Sequence, residues 1–406
     1  MGEQQVPEAL RAVVQSALER QEVADWEGAA RAWRSLQEGA AERGHEALEL
    51  DAWVRLADVL RRADRPREAL DALEQALARH PDEIQTQLLR IQTAALLLDT
   101  GSLEQAEARA RSCVAASQGP LQAMALDSLA AALATRGDRL ALAEVVRELE
   151  SIGQGPAALA GRFRRARLDR LEGHLAEAEQ GLASIADALD GVEGAAGASG
   201  AALTQLAQLA LLRGAFADTE LLLAAAEKAW TQAGRDVGNM EVLALRAELA
   251  VERGALTFLP GWLDTAVRYA EERGLVLLEA RLRRVRGLCR LRAGSKAGHA
   301  DLDASLLLAS QAGAPFLAGR TRLERAREGL GPGGREASIG ELERALDELT
   351  GDRIWAARAR ISLAQALNEA GERGQAIEHA TAALAAFTAA GLDRDEATAR
   401  AFLEAR

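Results

Sequence analysis

The sequence predicts an all-α fold, a solenoid of repeated helix–turn–helix pairs, and two observations carry that prediction. The first is composition: hydrophobic residues make up 49% of the 406, much of it Ala, while aromatics are only 3%. Sheets draw on β-branched and aromatic side chains, whereas Ala, Leu, Glu and Arg are strong helix formers. The second is periodicity. Helix breaks recur about every 36 to 41 residues, near Ala24, Asp64, Gly101, Gly137, Gly173, Gly214, Gly254, Gly294, Gly331–Gly334 and Gly371. Such an array grows by adding units, so the length does not require several separate cores.

The first unit pairs Pro7–Gln21 with Asp25–Arg43, and Trp26, Ala29, Ala30 and Trp33 form its inner face. The second runs from Asp51 to Pro81 and shows the pattern most plainly. Trp53, Leu56, Ala57 and Leu60 share one helical face. A break follows at Ala63-Asp64-Arg65, and Pro66 suits the first turn of a new helix. Ala69, Leu73, Ala76 and Leu77 mark the second apolar face, and Pro81 closes the unit. In the third unit, Ser102 and Gln105 have capping-box spacing. The fourth (Leu121–Ile152) keeps Leu126, Leu129, Ala130 and Leu133 ahead of Gly137, and the fifth (Ala157–Leu189) keeps Ala166 and Leu168 ahead of Gly173.

Between Asp190 and Gly200 the pattern lapses into four glycines with no apolar period, which predicts an exposed loop. The expected organisation is therefore residues 1–189 as N-terminal units, 190–200 as a Gly-rich loop, and 201–406 as longer C-terminal units, all in one continuous solenoid. Pro260 suits a helix start, and Gly329–Ala337 reads as a second loose joint. The last pair, Ile354–Ala370 and Arg373–Ala390, is regular again. Asp393–Arg406, with Ala397, Ala401 and Phe402, reads as an end cap.

The spacing W-x2-L-A-x2-L, then A-x3-L, then P across Asp51–Pro81 resembles the tetratricopeptide repeat. Ala57 stands for the usual Gly, Leu60 for Tyr and Leu73 for Phe, which keeps small and large residues in their places. The resemblance implies a right-handed superhelical solenoid of about ten such units with a C-terminal capping helix. It also implies a concave groove lined by first helices, and a function set by what that surface binds. From about Ala201 the longer units, with phrases such as Ala-Phe-Thr-Ala-Ala-Gly-Leu at 386–392, resemble the sensor repeats of bacterial signal-transduction ATPases and maltose-activator-type regulators. Those regulators carry a nucleotide-binding domain, but neither Lys228 nor Lys296 lies in a G-x-x-x-x-G-K-[ST] loop. Under that resemblance the output module is another polypeptide.

A net charge of −12 argues against nucleic acid or an anionic membrane as the general partner. The longest apolar runs, such as Ala94–Leu98 and Leu221–Ala226, are too short to span a bilayer. Cys113 and Cys289 lie units apart among core-like residues and read as buried thiols in a reducing cytoplasm. The five histidines are scattered. His299-Ala-Asp301-Leu-Asp303 is the nearest thing to a ligand run, yet alternate residues do not share a helical face. No catalytic group, metal or cofactor is expected.

Two arginine clusters remain, Arg162–Arg170 and Arg281–Arg292, each on the first helix of a unit. The resemblance places some of them in the groove, where Arg can hold a carboxylate bidentately. The expected partner site is Phe163, Arg167, Arg170, Thr204, Gln208 and Arg284. The competing expectation is that Phe163 packs between helices while Arg167 and Arg170 pair with Glu172 or Glu177. Equivalent positions 40 residues apart predict rungs Glu241–Arg281 and Glu252–Arg292 between units. The carboxylate clamp of chaperone-binding family members needs Lys and Asn where Val54 and Asp58 stand, so that partner is not expected. Tryptophans at helical spacing are expected in the core. Together these readings predict a non-enzymatic cytoplasmic scaffold that binds a polypeptide segment in its groove. A sensory module for a small effector or peptide, and a self-associating structural subunit, are the alternatives.

Overall fold

The computed structural model describes residues 7–152, 155–255, 260–328 and 335–405. Among these residues there are 21 helices and no strand. Consecutive helices pack on one another across short turns. Five pairs form the first layer: α1 (Glu8–Glu22) with α2 (Trp26–Glu42), α3 (Glu46–Arg62) with α4 (Pro66–Leu77), α5 (Glu83–Asp99) with α6 (Leu103–Ala116), α7 (Gly119–Arg136) with α8 (Arg139–Ile152), and α9 (Pro156–Glu172) with α10 (Leu175–Leu189). The second layer continues with α11 (Ala196–Leu212) and α12 (Phe216–Gln232), α13 (Asp236–Arg253) and α14 (Pro260–Arg273), then α15 (Val276–Arg292) and α16 (Ala297–Gln311). It ends with α17 (Pro315–Arg327) and α18 (Arg335–Leu349), α19 (Arg353–Ala370) and α20 (Arg373–Ala390), and the single helix α21 (Asp393–Glu404).

The expected breaks that fall among the described residues all have left-handed backbone, from φ 56° at Ala24 to 90° at Gly371. The break expected at Gly331–Gly334 lies outside the described residues. The early pairs bury most of the residues their period predicts, whereas in α21 Ala397 and Ala401 are exposed and Ala399 is buried instead. Trp33, Leu36, Leu56, Leu60 and Leu73 are at most 1% exposed in one cluster, with Trp53 packed against it. Trp262 departs from the expectation: it is 61% exposed on α14.

Two local expectations are corrected. Ser102 precedes α6 but makes no capping hydrogen bond. The capping box is at the start of α5 instead, where Gln85 N donates to Asp82 Oδ1 at 2.8 Å and Asp82 N donates to Gln85 Oε1 at 3.2 Å. The Gly-rich stretch is a turn only over 190–195, because α11 begins at Ala196. Its later glycines serve contact. A Cβ at Gly200 would come within 2.8 Å of the Trp230 ring, and one at Gly238 within 2.1 Å. Trp230 thus lies in a slot between two helices that only glycine leaves open. Apolar packing continues through the turn, with Ala178 and Leu182 of α10 in one cluster with Leu206 and Leu209 of α11.

The array then closes on itself. Turns within first-layer pairs meet turns between second-layer pairs, one after another along a seam. Trp26 Nε1 donates to Gly234 O at 2.8 Å, and Arg67 lies against Gly274. Gly101 meets Val276 and Ala312, and Gly173 meets Ile354 and Ala390. At the middle of the seam the two backbones leave no room for a side chain, since a Cβ at Gly351 would lie 2.2 Å from Gly137 O. Asp64, 3% exposed, crosses the seam to accept from Arg235 Nε at 3.1 Å, Val237 N at 2.8 Å and Tyr269 Oη at 2.9 Å. Val237 is in the first turn of α13, so this carboxylate caps a helix of the other layer.

Candidate functional site

Closing the array turns its inner face into a recess that stays partly open to solvent. The inner ends of both layers surround a cavity of about 560 Å³. Phe163, Trp230, Phe316 and Leu277 supply its apolar wall, and each is only partly buried. Phe163, Arg167 and Arg170 follow i, i+4, i+7 spacing on α9 and so project from one face.

Most arginines of the wall are already neutralised. Arg164 Nε donates to Asp127 at 2.7 Å, Arg170 Nη1 to Asp352 at 2.6 Å and Arg235 Nε to Asp64 at 3.1 Å. Arg61 pairs with Asp58 at 3.0 Å, while Arg320 and Arg281 reach Glu248 at 3.3 and 3.5 Å. Arg167 is different. Among the described residues nothing accepts a hydrogen bond from it, and its Nε is buried without a partner. Burial, reinforced by the like charges of Arg164 and Arg170, lowers its pKa to about 9. Asp99 and Glu241 are carboxylates of the same cavity for which no hydrogen-bond or ion-pair partner is found among the described residues. Asp99 is open to water, yet it sits inside the closed array. Its carboxyl rises to about 6 because surrounding protein disfavours the charge, a push that Arg235 and Arg61 only partly offset.

The six expected site residues do not all meet here. Phe163 is half-buried, with the Arg164 guanidinium 5.5 Å from its ring centroid. Gln208 is half-buried and reaches this cavity and a smaller neighbouring pit. Arg170 is 6% exposed and is held by Asp352 rather than by Glu172 or Glu177. Thr204 is 2% exposed; its hydroxyl donates to Gly200 O at 2.7 Å and accepts from Trp230 Nε1 at 3.0 Å. Arg284 is wholly buried between Glu248 at 2.6 Å and Glu324 at 2.5 Å. Of these three only Arg170 lines the cavity, while Thr204 braces the Trp230 ring from behind and Arg284 belongs to a neighbouring pit; Phe163, Arg167 and Gln208 remain as surface.

The expected rungs are also corrected. Arg281 and Arg284 reach Glu248, Arg292 reaches Glu328 at 3.4 Å, and Glu252 pairs with Arg394 at 3.0 Å. Glu248–Arg284 and Arg292–Glu328 are 36 residues apart, while Arg284–Glu324 keeps the expected 40, so Arg284 spans both spacings. Sequence reading missed Asp99, Glu241, Trp230 and Phe316 as cavity residues. Only the closure of the second layer brings them to α9.

The smaller pit, about 180 Å³, lies beside Gln208 and holds the Arg284 network. Trp355 is sandwiched there between the guanidinia of Arg320 and Arg358, 3.8 and 4.8 Å from the ring centroid. The His299–Asp303 run is no ligand set, since Arg286 and Arg290 occupy Asp301. Asp169, Glu172 and His174 bring potential ligand atoms within 4.8 Å of one another on the surface. No helix among the described residues is long and apolar enough to cross a membrane.

Residues 50–93 match the family model described as tetratricopeptide repeat. No curated protein matches the chain. A solved structure described as a Rap protein complexed with competence and sporulation factor is similar with a TM-score of 0.51 and 11% identity, over 79% of this chain and 97% of that one. A tetratricopeptide repeat protein from Parabacteroides merdae has a TM-score of 0.43 and 13% identity, over 68% of this chain and 99% of that one. The segment that sequence pattern singles out thus matches the tetratricopeptide repeat, and the all-helical fold is similar to that of a solved helical-repeat structure.

Proposed function

We propose that the protein is a non-enzymatic interaction scaffold that binds a partner polypeptide segment in the cavity between its two layers. The carrying observation is Arg167, a partly buried guanidinium without a counter-ion in a cavity that Phe163, Trp230 and Phe316, each partly exposed, also line. Desolvated charge of this kind is costly unless a partner supplies the missing acceptor. Aromatic and arginine side chains are also the types that dominate interface energies. The Rap structure was solved as a complex, which supports the reading at the level of a shared fold. Buried Cys113 and Cys289 fit a reducing compartment, which supports the cytoplasm as the proposed setting.

The test is a selection of short peptides on the purified protein, followed by affinity measurement on Arg167→Glu. The variant should lose at least tenfold, about 1.4 kcal/mol. Unchanged affinity in a folded variant moves the site elsewhere. One observation favours a second reading: about 560 Å³ falls in the range of small-molecule cavities. In that reading the chain is a sensory module that switches a separate output protein. A small effector would then raise Tm in a concentration-dependent way, because it binds only the folded state.

A further inference from the structure

We infer that the segment held in the cavity is amphoteric, presenting a carboxylate to Arg167 and a cation to Asp99 and Glu241. This rests on the cavity being the binding site, and adds the chemistry of what enters it.

The inference follows from charge accounting along the wall. Arg164 and Arg170, the neighbours of Arg167 on α9, are each committed to a carboxylate, Asp127 and Asp352. No acid near Arg167 is in contact with it, although Glu241 and Asp127 are close enough to stabilise its charge. An incoming carboxylate would find the planar guanidinium fork unoccupied and could bind it bidentately.

The acidic side is equally incomplete. Asp99 ends α5 in the first layer and Glu241 lies on α13 in the second, so both layers contribute an unpaired carboxylate. The charged groups facing Asp99 are Arg61 on α3, Asp64 in the turn after it, Arg235 ahead of α13, and Glu241. Arg61 and Arg235 are already bound to Asp58 and Asp64. What remains is carboxylate beside carboxylate, an arrangement that a cation relieves. The raised pKa of Asp99 agrees with that geometry.

A polyacidic segment would set like charge against Asp99 and Glu241, and a polybasic one against Arg167. A neutral apolar segment would gain Phe163 and Phe316 but leave all three charges unmatched. Only a segment with one group of each sign answers every unpaired charge on the wall.

The probe is a set of short peptides with acetylated and amidated ends, so that charge comes from side chains alone. It contains four classes: neutral, acidic, basic, and acidic plus basic. The mixed class should bind at least tenfold tighter than the other three. Arg167→Gln should abolish the advantage of the acidic group, and Arg167→Lys should keep part of it, which controls for folding. Asp99→Asn with Glu241→Gln should abolish the advantage of the basic group. In the unaltered protein the basic group's advantage should shrink as pH falls below about 6. Equal retention of all classes, or class preferences unmoved by these variants, overturns the charge inference and leaves the cavity reading standing. Retention of no class overturns the cavity reading and the inference with it.

Discussion

Arg170 and Asp352 are 182 residues apart in the chain, yet they meet at 2.6 Å with side chains 7% and 0% exposed. Asp352 also accepts from Ile354 N and Trp355 N at the start of α19, so one carboxylate caps a helix and ties the two layers together. Removing one member of a buried pair leaves an uncompensated charge. Arg170→Ala should therefore cost about 3–5 kcal/mol in urea unfolding. A loss below about 1 kcal/mol would show that the pair is not closed in solution.

Asp64 makes the matching tie at another point of the seam while holding φ at 57°. Asn tolerates left-handed backbone and can still accept from Val237 N, so Asp64→Asn should cost about 1–3 kcal/mol through the lost Arg235 contact. Asp64→Ala should cost about 1–2 kcal/mol more, since it adds left-handed strain and leaves the α13 terminus uncapped. Denaturation midpoints that rank Ala as the milder change would rule out the bridging role.

Close approach at the seam predicts a sharp contrast between glycines. Gly351→Ala forces a methyl against Gly137 O and should destabilise by about 1–3 kcal/mol, with an expanded radius of gyration in X-ray scattering. Gly374, on α20 with nothing within 4 Å of its added Cβ, should gain about 0.5–1 kcal/mol as Ala. Equal effects at both positions would mean that the layers do not touch.

Stability against pH should have two opposing limbs. Burial alone would raise the Glu248 carboxyl, but Arg320, Arg284 and Arg281 overcome it and hold it well below its ordinary 4.5. The stability it contributes is complete above that value and is lost as acid protonates it in the fold. Asp99 works in reverse. Although the side chain reaches water, desolvation by the surrounding protein raises its pKa from 3.8 to about 6, so the folded state takes up a proton between these values and stability rises as pH falls through 6. Asp99→Asn should flatten the limb between pH 7 and 5 and leave the acid limb intact. An unaltered neutral limb would place Asp99 in bulk solvent.

The local half of this structure was legible in the sequence. The breaks at Gly101, Gly137 and Gly173 followed from a fixed period, and Leu56, Leu60 and Leu73 from helical spacing, because both depend on neighbours in the chain. The glycines at 197 and 200 misled for the opposite reason. Their role is set by Trp230, some thirty residues on, and an Ala-rich first turn can be helical around them. The site was half legible. Phe163 and Arg167 share a face of α9 that periodicity reveals, and Gln208 lies on the next first helix, α11. That Arg284 would be buried, and that Asp99 would line the same cavity as Arg167, depends on helix packing and layer closure, which leave no mark at short range.

The turn-on-turn seam limits how this chain can change length. In an open array each unit touches only its neighbours, so a unit can be gained or lost with a local penalty. Here Trp26 is matched to Gly234 and Asp64 to Tyr269, 208 and 205 residues on. Duplicating or deleting one pair between those points would slip every later rung by a full unit, like a zip joined one tooth out. Internal length is therefore held as tightly as any buried side chain, and tolerated insertions should be confined to turns that face away from the seam.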